Sequence, residues 1–139
     1  MSSTKFRRAL SVTIAGYWLL MFLATHLTRV PAAVEAEGSD KWFHFGGYAV
    51  LALLLAVRRA VGVPVTWRAA LGLMGVVALY GMIDEITQIP VGRDADIADW
   101  YADVAGAAIG LAVFGILTAV KGRFAARGRG SHDQRMQRR

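Results

Sequence analysis

Four apolar stretches, each close to the length of a bilayer crossing, leave this chain few folds to choose from. They are ALSVTIAGYWLLMFLATHL (9–27), WFHFGGYAVLALLLAV (42–57), AALGLMGVVALYGMIDEITQI (69–89) and IADWYADVAGAAIGLAVFGILTAV (97–120). A helix needs about 20 predominantly apolar residues to cross the hydrocarbon, with about 17 as the lower bound. The second stretch reaches that length only if its polar flanks snorkel. None alternates apolar and polar residues with a period of two, so strands are not expected. The expected fold is all-α, a four-helix transmembrane bundle with helices over about 9–28, 41–58, 68–89 and 97–120. This membrane domain, 9–120, is flanked by a short N-terminal segment, 1–8, and a basic tail, 121–139, expected to be disordered. The first stretch has a rival reading as a signal peptide, with KFRR before the apolar run and the small-residue site VEA after it. The run is long for that role, and cleavage would leave the other helices oriented as before.

The chain carries 16 Lys and Arg against 10 Asp and Glu, a net charge of +6. A basic balance points to nucleic acid only when the cations share one face; here they sort by loop instead. Lys5, Arg7 and Arg8 precede the first stretch, Arg58, Arg59 and Arg68 lie between the second and third, and Lys121, Arg123 and the later arginines follow the fourth. The other two connections, 28–41 and 90–96, hold only Arg29, Lys41 and Arg93 as cations. Lys and Arg mark the cytoplasmic side, so both termini are expected inside, and the lipid bilayer rather than nucleic acid is the expected partner. Trp42 and Trp100 fall at the outer interface and Trp67 at the inner one, as an aromatic belt requires. The absence of cysteine excludes disulfides and thiolate metal sites.

Nine of the ten acidic residues then fall at the outer ends of helices or in the outer connections; Asp133 is the exception. Helical spacing groups them. Asp40, His44 and Tyr48 form one stripe, Tyr80, Asp84 and Gln88 a second, and Asp99, Asp103, Gly106 and Gly110 a third. Glu85 is turned by about 100° from Asp84, so the two carboxylates face different neighbours. Counting about 1.5 Å per residue from Ala69 puts Asp84 just beneath the outer interface. Isolated charges there are unfavourable by up to a few kcal/mol, so they are expected to face one another around an outward-facing polar pocket. Gly106 and Gly110 are small residues one turn apart, the pattern that lets two helices approach closely.

The same residues carry a family pattern. DKWFHFGGY (40–48), DEITQ (84–88) and GRDADIADWYADVAGAAIG (92–110) resemble the VanZ-like family of small bacterial membrane proteins. Asp103 stands where that family commonly has Asn, and IPVG (89–92) is one residue short of its usual loop. The resemblance implies a multi-pass protein of the bacterial cytoplasmic membrane, related to a protein linked to glycopeptide resistance, and no established reaction. The ligand-binding candidates are Asp40, Lys41, His44, Tyr48, Asp84, Glu85, Gln88, Arg93, Asp99 and Asp103, with Gly106 and Gly110 for packing.

Four functions suit such a pocket. Lys41, His44 and Arg93 could bind the phosphate or carboxylate of a lipid-linked cell-wall precursor, a phospholipid or a glycopeptide at the outer face. His44 beside a carboxylate is the minimum for acid–base hydrolysis or transfer, although no nucleophile motif is present and no catalytic residue is assigned. The excess of carboxylates suits a hard divalent cation, although no ligand pair has a diagnostic spacing such as HExxH. The charges could also serve only to hold the bundle together. No cofactor is implied.

Overall fold

A computed structural model describes residues 3–26 and 39–137, with side chains described for 4–26 and 40–124. The helices are α1 (Ser3–Thr25), α2 (Ser39–Ala60), α3 (Trp67–Gln88) and α4 (Ile97–Gln137), with a 3₁₀ turn over Ile89–Val91 between the last two. No strand occurs among the described residues. Thr4–Thr25, Asp40–Ala60, Trp67–Val91 and Ile97–Phe124 are each long and apolar enough to cross a membrane.

Local chemistry sets the breaks. Thr66 caps α3, its hydroxyl accepting the Ala69 N–H at 3.3 Å. After Gln88, Pro90 removes a backbone donor, and Gly92 takes the left-handed conformation at φ 80° and returns its N–H to the Ile89 carbonyl. Asp96 then opens α4. Its carboxylate accepts the Ala98 N–H at 2.8 Å, and its carbonyl accepts Asp99 N–H at 3.0 Å.

Polarity is inverted relative to a water-soluble domain. The apolar core is small: its main cluster is Tyr48, Ala52, Val77 and Ala107 with Met21, Leu55, Met74, Tyr80 and Leu111 packed on it, and Ile14, Leu51 and Ala56 are the other buried apolar side chains among the described residues. Leu19, Leu20, Leu71, Leu79, Ile86, Ile109, Ile116 and Leu117 point outward, while His44, Asp84, Glu85, Gln88, Asp99 and Asp103 are buried. Such an arrangement is favourable only where the surrounding solvent is hydrocarbon.

The closest helix contact is between α2 and α4. A Cβ placed on Gly106 would overlap the Phe45 carbonyl, and one on Gly110 would overlap the Ala49 carbonyl. Small residues therefore let the two backbones touch. Helix α3 packs on α4 through Gly81, against which Asp103 lies, and through Trp100, whose Nε1 donates to the Ala78 carbonyl at 2.9 Å. Helix α1 is joined by sparser polar bonds: Tyr17 Oη donates to the Gly47 carbonyl at 3.0 Å, and Arg58 Nε to Ser11 Oγ at 2.7 Å.

Three expectations change. Helix α1 begins at Ser3 rather than near residue 9, so the segment read as a flank is part of the helix. Helix α4 does not stop near 120 but continues through the tail expected to be disordered, to Gln137. Its Ala, Arg, Met and Gln residues are good helix formers, and Gly128 and Gly130 disfavour it by only about 1 kcal/mol each. Trp42 and Trp67 are exposed as an aromatic belt requires, but Trp100 is half-buried against α3. The VEA site and most of the 28–41 connection lie outside the described residues.

Candidate functional site

The polar residues gather at one end of the bundle, where α2 and α4 begin and α1 and α3 finish. Two layers can be distinguished. In the outer layer every carboxylate meets a Lys or Arg, with Lys41 shared between two. Arg93 donates to Asp40 Oδ2 at 3.2 Å, and Lys41 Nζ donates to Asp96 Oδ2 at 3.0 Å and Asp99 Oδ1 at 3.3 Å. Lys41 and Asp96 are nearly half exposed. The Asp96 carboxyl is held below the usual aspartate value, chiefly by the Ala98 N–H it accepts and then by Lys41.

The inner layer is different. His44 is 4 % exposed, Asp84 1 %, Glu85 6 % and Asp103 0 %. His44 Nδ1 lies 2.9 Å from Asp103 Oδ1 and 3.9 Å from Glu85 Oε1. Glu85 is fixed from two sides: Oε2 accepts the Asp96 backbone N–H at 2.8 Å, and Oε1 accepts from Gln88 Nε2 at 3.3 Å. The loop before α4 is thereby tied to the end of α3. Asp84 faces α1 instead, where Thr25 Oγ1 donates to its Oδ1 at 3.1 Å and His26 Nδ1 lies 3.8 Å away. Below the carboxylates, Tyr48 stands between His44 and Tyr80, with ring centroids 6.3 and 5.9 Å apart. Four buried polar atoms among the described side chains have no hydrogen-bond partner: Asp84 Oδ2, Asp103 Oδ2 and the Tyr48 and Tyr80 hydroxyls.

A groove of about 700 Å³ runs between α1 and α2 beside this cluster. Leu20, Met21, Ala24, Phe43 and Val50 make its apolar wall, and Asp40, His44, Arg93 and Thr25 supply its polar groups. His44 thus belongs to both the buried cluster and the groove.

All ten ligand-binding candidates from the sequence lie at this end, with Tyr48 the deepest. Asp84 and Glu85 face different neighbours, as the turn between them requires, and Gly106 and Gly110 sit at the α2–α4 contact. Three participants were missed. Thr25 ends a helix with no acidic residue to draw attention to it, and His26 is the turn residue that follows. Asp96 was missed because its importance is local: an Asp directly before the first apolar residue of a helix, here Ile97, is a capping signal.

No protein-family model, curated protein or solved structure matches the chain. The functional reading therefore rests on the geometry of its own residues.

Proposed function

We propose that this chain is a VanZ-like protein of the bacterial cytoplasmic membrane that binds the phosphate headgroup of an envelope amphiphile at its outer face. The observation carrying this reading is the groove between α1 and α2. Its apolar wall is continuous with Asp40, His44 and Arg93, so it repeats the polarity of a lipid, with chain and headgroup each meeting matching chemistry. Arg93 offers a guanidinium suited to phosphate oxygens, and Lys41 adds a second cation at the same end. The outward orientation follows from the segregation of Lys and Arg to the opposite loops and tail. A lipid-linked wall precursor and a phospholipid present the same phosphate chemistry. Interaction with the wall precursor is the route by which such a protein would bear on glycopeptide resistance.

A second reading, hydrolysis or transfer at that headgroup, is favoured by one feature. The His44 ring is hydrogen-bonded to Asp103 and also lines the groove, which is the arrangement of an oriented general base.

Photolabelling in nanodiscs tests the binding reading. The probe lipids are a polyprenyl-pyrophosphate and phosphatidylglycerol, each carrying a diazirine in its chain. Labels should map to α1 and α2. Gly46 lines the groove, and a Cβ there meets nothing within 4 Å, so Gly46→Leu fills the groove without displacing a helix and should suppress labelling. Arg93→Ala should do the same while the helical content is retained. Labelling that survives both substitutions would remove the groove from consideration, and the ratio between the two probes distinguishes the lipid source.

A further inference from the structure

The inner layer has more negative charge than the protein supplies partners for. Asp84, Glu85 and Asp103 are buried together, and the nearby Lys41 and Arg93 pair with Asp96, Asp99 and Asp40 in the outer layer. His44, shared by Glu85 and Asp103, is the only nitrogen base between them among the described residues. Two buried carboxylates on one imidazole leave a deficit of positive charge, and an unpaired buried ion is strongly unfavourable. Independently, Asp103, with no exposed surface, presents one oxygen to His44 and leaves the other without any donor.

We propose that His44, Glu85 and Asp103 bind one divalent first-row metal ion, of the Zn²⁺ or Mn²⁺ type. One ligand atom from each residue lies within 4.8 Å of the other two. Donors about 2.1 Å from a tetrahedral metal stand about 3.4 Å apart. The separations from His44 Nδ1, 2.9 Å to Asp103 and 3.9 Å to Glu85, bracket that value. Small side-chain adjustments therefore bring the set to ligand geometry. An imidazole suits Zn²⁺ and carboxylates suit Mn²⁺ as well as Zn²⁺, and a dication with two carboxylates is neutral. The supporting contacts are already present, because Gln88 and the Asp96 N–H hold Glu85 in place. Asp40, His44 and Asp99 form a second triad of similar size, but each of its carboxylates already meets a permanent cation, Arg93 at Asp40 and Lys41 at Asp99, and Asp40 is nearly half exposed, so its demand for a further cation is weaker. The metal site goes beyond the amphiphile reading and does not depend on it, since two of its three ligands, Glu85 and Asp103, are buried and do not line the groove.

The test uses the full chain in detergent, stripped with a chelator and then titrated with Zn²⁺, Mn²⁺ and Co²⁺. The expected result is one ion per chain by calorimetry and elemental analysis, a rise in melting temperature, and visible Co²⁺ bands typical of nitrogen and oxygen ligands. Glu85→Gln keeps the shape and one acceptor, and should weaken binding by about 100-fold or more. Asp99→Asn, which removes a neighbouring charge but no proposed ligand, should weaken binding far less than Glu85→Gln. Elution profile and circular dichroism establish that each variant is folded, and the Co²⁺ spectrum of the unsubstituted chain needs no variant. Absence of stoichiometric binding by the folded, unsubstituted chain overturns the proposal. So does loss of binding in Asp99→Asn with retention in Glu85→Gln. Lipid labelling of the stripped protein is measured in parallel, so that failure of the metal site and failure of the groove are separate results.

Discussion

Gly106→Ala is the smallest change that probes how the bundle holds its polar end together. The added methyl group falls on the Phe45 carbonyl of α2, and the same change at Gly110 falls on the Ala49 carbonyl. Backbone cannot rotate away as a side chain can, so α4 must retreat from α2. Overpacking of this kind typically costs about 1–3 kcal/mol, and a gap of about 0.5–1 Å forfeits a quarter to a half of the dispersion attraction along the seam. Gly115→Ala is the control. It lies on the same helix, a Cβ there meets nothing within 4 Å, and it shares the intrinsic helix gain of about 1 kcal/mol. The difference between the two variants is therefore the interface term alone, about 1–3 kcal/mol in favour of Gly115→Ala. One retreat of α4 relieves both overlaps, so the Gly106→Ala, Gly110→Ala double variant should lose less than the sum of the singles. The same movement pulls Asp103 from His44, three residues from Gly106 and adjacent to Phe45 respectively. Equilibrium unfolding in mixed micelles measures all four proteins. Equal stability of Gly106→Ala and Gly115→Ala, or strict additivity of the pair, would refute the close backbone contact.

Three further outcomes are expected. Reporter fusions at Arg68 and at the C-terminus should read as cytoplasmic and one at Glu35 as external; an external C-terminus would reverse the orientation assigned to the groove. Asp96→Ala removes the α4 cap and should lower stability by about 1 kcal/mol, whereas Asp96→Asn retains a capping oxygen. Because the Asp96 carboxyl is held below its ordinary value, its contribution is full above about pH 3.9 and is lost as pH falls through the depressed value. Asp96→Asn should therefore flatten the acid limb of an unfolding profile, and an unchanged limb would show that the Ala98 and Lys41 contacts contribute nothing. Thr25→Val removes the hydroxyl donated to buried Asp84 and should cost about 1–3 kcal/mol, read as easier proteolysis or dissociation of α1, with Thr25→Ser restoring it; an equally stable Thr25→Val would mean that this bond does not hold α1.

The number of helices and the gathering of the polar residues were legible in the sequence, because both follow from strong penalties. Long apolar runs have one low-energy environment, and charges at matched depth must find one another. The close approach of α2 and α4 was legible from one side only: Gly106-x-x-x-Gly110 announces a partner but does not name it. The division of the cluster into an outer layer paired with Lys and Arg and an inner one that has only histidine was not legible. It depends on Lys41 reaching Asp96 and Asp99 while Glu85 turns to the loop, choices made by rotamers and packing rather than by spacing. The extent of α4 was misjudged because polarity was read as disorder, whereas the Arg and Ala content of residues 121–137 also favours helix.

The pairing of α2 with α4 has a consequence for biogenesis. These two helices are separated in the chain by α3, so the partner that supplies Asp103 to His44 is synthesised only after α3. During that interval α3 presents Asp84 and Glu85 to the membrane with neither Asp103 nor the Asp96 backbone in place. Charged groups raise the free energy of inserting a segment. Helix α3 is thus expected to linger at the translocation machinery, or with its polar end in the aqueous phase, until α4 arrives. Assembly would then be a delayed closure by α4 rather than a sequence of hairpins completed in order.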